Sequence, residues 1–506
     1  MHEARIPHYS NVATDTKMDK PTMHMLSVQE KGGETRKSTQ YLAAVAATIG
    51  AVIAGTILAW TSPALPQLEP LKDNSTVNNV TVVNHTLVNS LGQPAGFLLD
   101  GKQSYLVSSI SPIGALISAL PAGYLTQKLG RRPTILVLSI PFMLNWLLII
   151  FANGAGMLIA GRFFGGIGTG GICVAAPLYI GEIAETSIRG SLGAFFQLFL
   201  TIGILLCYVI GGWTHWRTLS IILAIFPPLL VIVFWWMPET PQYLLGKNRR
   251  RDAEAALRWL RGPDADLTIE LDDMQKELDA ASRRRAGALS MLASRAPRAA
   301  FVCSLGLMFF QQFSGVNAVI FYTNDIFRSA GSNIPPVIAT IIVGVVQTLA
   351  TYVSSLLIEK AGRRVLLLQS CTIMGITLIV LGIYFKLQSS GYNVSPVGWI
   401  PLVSLVLYII SFSMGFGPIP WMMMSELFAG EYRSAATGIS VIVNWSLVFI
   451  VTLCFPLMRD AIGIYSCFWL YSGFMIVCFF FVFFLIPETK GKSLAQIQAI
   501  LAGKSI

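Results

Sequence analysis

Apolar residues gather into twelve long runs, separated by polar turns that hold most of the basic residues. A helix needs about 20 apolar residues to cross the hydrocarbon of a bilayer. Twelve windows reach that length: 41–60, 105–127, 133–152, 157–180, 191–211, 216–237, 298–322, 334–358, 365–386, 399–424, 434–456 and 463–486. The longest interruption, 238–297, carries a different pattern. There Ala253, Ala256, Leu257 and Leu260 share one helical face and Leu271, Met274 and Leu278 share another, so two amphipathic helices are expected. The pattern predicts an all-α membrane protein with a tail (1–40), a six-helix bundle (41–237), a linker (238–297), a second six-helix bundle (298–486) and a closing tail (487–506). Spans 2, 4, 7 and 10 are rich in Gly, Ser, Pro and Thr. Small residues let backbones approach, so these spans are expected to face other helices. Spans 9 and 12 are uniformly fatty and are expected to face lipid.

Charge orients the chain. With the N-terminus in the cytoplasm, all but seven of the 36 basic residues fall on the cytoplasmic side; the seven are Lys72, Lys102, Arg162, Arg217, Arg328, Lys386 and Arg459. That bias is the positive-inside pattern. It places segment 61–104 outside, and three glycosylation sequons lie there, at Asn74, Asn79 and Asn84. A fourth, at Asn444, falls inside an apolar run and is a chance match. The arginine runs 249–251 and 283–285 of the linker read as solvated charge facing lipid headgroups.

Composition narrows the function classes. Only 12% of residues are charged and 54% are hydrophobic, against about a quarter charged in soluble proteins. The net charge of +10 sits in loops, with no basic, aromatic-interleaved soluble face, which argues against nucleic acid as a partner. The seven cysteines all lie in apolar runs without a Cys-x-x-Cys pair, so neither a disulfide framework nor a zinc site is expected. None of the five histidines is mid-span. The first 40 residues have no apolar core, so residues 41–60 are expected to act as signal anchor and first span.

The chain repeats itself. Gly130-Arg131-Arg132 follows span 2 and Gly362-Arg363-Arg364 follows span 8. Glu182 and Arg189, with six residues between them, follow span 4; Glu426 and Arg433, with the same gap, follow span 10. Pro238-Glu239-Thr240 ends span 6 and Pro487-Glu488-Thr489 ends span 12. Three pairs in the same order argue for two homologous six-helix halves around a central cavity, with alternating access by rocking. Arginine and carboxylate at these helix ends can pair in bidentate fashion. The expectation is that such pairs join the cytoplasmic ends of the halves and break when that side opens.

These motifs, together with Gln311-Gln312-Phe-Ser-Gly315-Val-Asn317 and Gly417-Pro418-Ile-Pro420-Trp421, resemble the sugar porters of the major facilitator superfamily over residues 41–495. Within that family the chain is most similar to the insect facilitated trehalose transporters. The resemblance implies the major facilitator fold and a small uncharged sugar, trehalose or a hexose, as partner. It implies that Gln311, Gln312 and Asn317 of span 7, Gln197 of span 5, Gln347 of span 8 and Asn444 of span 11 contact sugar hydroxyls, and that Trp421 of span 10 packs on the sugar ring. It further implies a carrier rather than an enzyme, working as a single chain without a cofactor; with no firm retention signal in the sequence the plasma membrane is the expected location, an intracellular membrane the alternative.

The residue chemistry agrees. Hydroxyls donate and accept; so do Gln and Asn, with no charge to strip of water. Amides in a membrane core mark cavities by default. Asn317 follows Gln312 by five positions, and Ser314-Gly315 between them could let the helix break and re-aim it. Two positions depart from the family: Ser413 stands where many glucose transporters have Glu, and Gln127 where Asp or Asn is common. Proton-coupled relatives place Asp in span 1; here Ile57 stands there. No carboxylate lies near the middle of any span, and Glu182, Glu359 and Glu426 sit at span ends. Proton coupling needs a titrating group at the transport site, so facilitated diffusion is expected, with Arg162 left without its usual partner. A non-transporting sensor would carry a long signalling tail, and this chain ends soon after Thr489.

Overall fold

The computed structural model describes residues 36–70, 82–83, 86–87, 97–185, 187–263, 267–283, 294–331, 334–428, 430–492 and 494–503. Among them twelve helical stretches are long and apolar enough to cross a membrane: Lys37–Leu68, Gly101–Lys128, Arg131–Ile150, Ala155–Ile183, Arg189–Trp213, Trp216–Phe234, Arg295–Ala330, Pro336–Ile358, Arg363–Ser389, Ser395–Met424, Ala436–Ile462 and Ile464–Leu485, here spans 1 to 12. Each coincides with an expected window. Span 1 runs on through Thr61–Leu68, the first residues of the expected loop, because Ala64, Leu65 and Leu68 are buried in the core there. The rest of that loop holds a two-residue ladder, Val82–Val83 against Thr86–Leu87. The three sequon asparagines, Asn74, Asn79 and Asn84, lie outside the described residues.

Small residues set the packing. A Cβ on Gly166 or Gly170 of span 4 would run into the backbone of Ser111 or Ala115 of span 2, and one on Gly203 of span 5 into Val52 of span 1. Backbones therefore meet directly, as spans 2 and 4 were expected to do. Span 1, rich in alanine, is the most enclosed, with 78% of its most apolar stretch buried. Span 12 leaves a phenylalanine-rich face outward, Phe480, Phe483 and Phe484 being exposed. Span 9 meets the expectation on one face, where Val365, Ile376, Ile379 and Ile383 are exposed, and departs from it on the other. It is as buried as span 2, since Leu367, Cys371, Met374, Leu378 and Phe385 pack inward and Phe385 stacks on Phe468 of span 12.

The linker forms two helices, Arg250–Arg261 and Thr268–Arg283. Their apolar faces close on each other: Ala253, Ala256 and Leu257 meet Leu271, Met274 and Leu278 over Leu244 and Leu245. Leu260 instead joins the main core. Arg261 is buried, pairs with Glu270 at 2.7 Å and donates to the Ile183 carbonyl at the end of span 4. The linker is thereby tied to the first half. We call the end that bears it the linker face.

At the opposite face the halves touch. Tyr208 of span 5 donates to the Ile320 carbonyl at 2.8 Å, Thr61 to the Phe321 carbonyl at 3.2 Å, and the Asn324 backbone N–H to the Ser62 hydroxyl at 3.3 Å. Tyr105 of span 2 also donates to Asp460 of span 11. Nearer the linker face, Ala115 and Ala119 of span 2 pack on Val441 and Trp445 of span 11.

Candidate functional site

Span 7 is two helices. The first ends at Phe313, Gly315 takes a left-handed backbone with φ +87°, and the second begins at Val316. A side chain at 315 would also meet the Tyr471 ring, so glycine is required twice over. The Tyr408 hydroxyl caps the break by donating to the Ser314 carbonyl at 2.8 Å. Span 10 breaks too, between Met414 and Ile419. That second break frees the carbonyls of Phe416 and Gly417, and Gln311 donates to both, at 2.7 and 3.1 Å.

Four amides join at these breaks. Asn317 donates to Gln312, Gln312 donates to the Gln311 oxygen at 3.4 Å, and Asn444 donates to that same oxygen at 3.0 Å. The break re-aims Asn317 across a spacing that a continuous helix would not close. An amide side chain offers two donors and an oxygen with two lone pairs. All four capacities of Gln311 are taken by protein. Gln312, Asn317 and Asn444 each keep unused capacity; the second Asn444 contact is a weak one to Met308 sulfur at 3.4 Å. Gln347 is buried; its backbone carbonyl accepts from Thr351 at 2.8 Å, while its side chain makes no hydrogen bond to a described residue. Gln197 is half-buried on span 5, likewise without one. Trp421 is half-buried and packs with Trp445, Ala115 and Ala119, where spans of both halves meet. The buried Ser413 hydroxyl has no hydrogen-bond partner among the described residues.

Arg162 is fully buried in span 4. Its guanidinium donates to the Ile57 and Val107 carbonyls and lies 5.7 Å from the Trp60 ring centroid, and Nη2 has no partner among the described residues. No carboxylate among the described residues pairs with it. The carbonyl at position 57 takes the place of the absent acid. Spans longer than expected also enclose Asp325 and Asp460, both toward the face away from the linker.

The duplicated motifs assemble twice. In the first half Arg131 pairs with Glu182 at 2.6 Å, Thr240 donates to the same carboxylate at 2.6 Å, and Glu239 accepts the backbone N–H groups of Arg131 and Arg132. In the second, Arg363 pairs with Glu426 at 3.1 Å, Thr489 donates to Glu426 at 2.5 Å, and Glu488 accepts from the backbone of Arg363 and Arg364. Gly130 and Gly362, at φ +111° and +91°, leave room for the carboxylate beside the helix N-terminus, which attracts it. Arg132 and Arg364 donate to the Trp235 and Phe483 carbonyls. Every one of these bonds lies within one half. In this structure, whose halves touch at the face away from the linker, each carboxylate is held beside a helix end of its own bundle. Arg189 is exposed and carries no ion pair with a described residue; the Arg433 side chain lies outside the described residues. The two capping carboxylates titrate differently. Burial pushes Glu239 above the usual 4.5. For Glu488 burial pushes upward too, but the N–H donors of Lys490, Arg363, Arg364 and Thr489 outweigh it and hold the group below 4.5.

Two matched bundles, two broken helices in the second of them and an uncharged amide cluster at those breaks make up the candidate site. The sequence matches the family model "Sugar (and other) transporter" over residues 22–501, and the chain belongs to that family of transporters. It is 39% identical to the facilitated trehalose transporter Tret1 of Polypedilum vanderplanki, covering 92% of this chain and 88% of that one. It is 39% identical to Tret1 of Drosophila virilis, covering 92% of this chain and 49% of that one. The chain thus spans about half the length of several of the curated relatives that it matches. Among solved structures, the proton:xylose symporter XylE bound to 6-bromo-6-deoxy-D-glucose superposes with TM-score 0.72 at 25% identity, covering 92% and 99% of the two chains. An inward-open XylE from E. coli gives 0.71 at 23%, covering 91% and 99%, a likeness of fold alone.

Proposed function

We propose that this protein carries trehalose in both directions down its gradient, by alternating access and without ion coupling. The observation that carries this reading is the bonded amide chain of Asn317, Gln312, Gln311 and Asn444, which offers hydroxyl-matching groups and no charge. Gln312, Asn317, Asn444 and Gln347 bind hydroxyls, Gln311 holds the site open by fixing the broken strand of span 10, Trp421 covers a sugar ring and Gln197 closes the site from span 5. Arg162, bonded to a carbonyl in place of an acid, supports uniport. The termini and linker face the cytoplasm, segment 61–104 faces outward and is glycosylated at Asn74, Asn79 and Asn84, and a single chain in the plasma membrane suffices. Arg189 and Arg433, the exposed members of the repeated motif, supply the bonds between halves when the linker face closes. The relatives named trehalose transporters favour the disaccharide over a hexose.

The test is uptake of labelled trehalose and glucose by the purified chain in liposomes without an ion gradient. Trehalose equilibrating ahead of glucose supports the reading. Glucose entering first moves the protein to hexoses, and entry of neither overturns the carrier mechanism.

A further inference from the structure

On the face away from the linker, a cavity of about 600 Å³ lies between the two halves, within the size range of small-molecule sites. Gln67, Trp213 and His215 of the first half line one side; Asn324, Arg328 and Val337 of the second line the other. It sits about one helical turn beyond the contacts of Tyr208, Thr61 and Ser62 that close this face.

The wall is preformed. Gln67 donates to the Pro63 and Thr214 carbonyls at 3.1 and 3.2 Å and accepts from the Trp216 N–H at 2.9 Å. His215 Nδ1 accepts the Arg217 N–H at 3.3 Å, which leaves the proton of the neutral ring on Nε2, as a donor. Burial, and then the Arg217 charge, keep that imidazole below its usual 6.5 and so uncharged at neutral pH. The Asn324 side chain makes no hydrogen bond to a described residue, although its backbone is bonded to Ser62. Trp213 is 72% exposed and presents an indole at the rim. No carboxylate is among the described residues that line the cavity, which disfavours a cation. Its one permanent cation, Arg328, already interacts within the protein, which disfavours an anion. An amide, a neutral imidazole donor and an aromatic face suit a neutral polyhydroxylated ligand.

We propose that this inter-half cavity is a second, peripheral sugar site, and that a sugar held there between Trp213 and Asn324 clamps this face shut. The proposal rests on the sugar-carrier reading for its ligand. Because both halves form the walls, the site is complete only while this face is closed. A ligand favouring that state shifts the population toward it. Sugar abundant on this side would therefore slow its own entry.

Equilibrium dialysis of the purified full chain against labelled trehalose tests this. Two sugars per chain are expected, falling to one in Trp213→Ala/Asn324→Ala and to one in Gln312→Ala. One sugar per chain, lost in Gln312→Ala and kept in Trp213→Ala/Asn324→Ala, overturns the second site and leaves the carrier reading standing. One sugar lost only in Trp213→Ala/Asn324→Ala keeps this site and overturns the amide site. No binding at all overturns both. Uptake gives an independent readout. Wild-type rates should decline at high outside sugar, while Trp213→Ala/Asn324→Ala should reach a plateau with its low-concentration rate unchanged; identical curves contradict the proposal.

Discussion

Gln311 and Asn317 carry the same chemistry and stand six residues apart, yet the structure gives them different work. With all its capacity bonded to protein, Gln311 is a positioning residue. Gln311→Ala would leave two buried carbonyls of the span 10 break unpaired, at a cost of about 1–3 kcal/mol, read as a lower melting temperature together with lost uptake. Asn317→Ala should leave melting nearly unchanged and weaken trehalose affinity about tenfold, which corresponds to about 1.4 kcal/mol, read from the concentration dependence of uptake. The sequence showed amides in a membrane core and hence a site. It could not show which of them are saturated, because the partners of Gln311 are backbone carbonyls freed by a distant break. Likewise Glu239 and Glu488 read as partners for arginine side chains, whereas both cap backbone N–H groups. Their titrations oppose each other. Glu488, held below 4.5, contributes stability that is present above the unfolded value of 4.5 and is lost as pH falls through the folded one. Glu239, raised above 4.5, costs stability at neutral pH, and that cost is relieved as pH falls through its folded value. Melting of Glu488→Gln and Glu239→Gln against wild type across acid pH should show it. The wild-type advantage over Glu488→Gln shrinks on acidification, while that over Glu239→Gln grows.

At the scale of elements, the twelve spans and two linker helices were legible because apolar run length and 3.6-residue periodicity are local properties. Ser314-Gly315 signalled the break in span 7. The break in span 10 was carried by Gly417, Pro418 and Pro420, which read as a family motif before they read as a chain interruption. The burial of span 9 was not legible: leucine packs equally well against lipid and against span 12, so composition alone does not distinguish them. Gly315→Ala probes the element on which the site depends. With φ at +87° and Tyr471 in the way, alanine should cost about 1–3 kcal/mol and uncouple Asn317 from Gln312. Melting and trehalose affinity would then fall together, unlike in Asn317→Ala.

At the scale of the whole molecule, duplication was the strongest signal in the sequence, and the structure repeats it bond for bond at the linker face. What the motifs could not convey is that each charge cluster braces its own bundle, while the halves meet through Tyr208, Thr61, Ser62 and Tyr105 on one face, through the packing of span 5 on span 8, where Gly344 lies against Tyr208 and Gly212 against Val337, and through the alanine–tryptophan seam of spans 2 and 11. Rocking of rigid halves about a charge-free site is the physical form of facilitated diffusion. It is tested most directly by the steady-state distribution of labelled trehalose across liposomes containing the protein, with and without an imposed pH gradient. The account expects inside and outside concentrations to become equal in both cases. Accumulation above the outside concentration when the outside is acid would contradict it, and would place a titrating group in a site where the structure holds only amides.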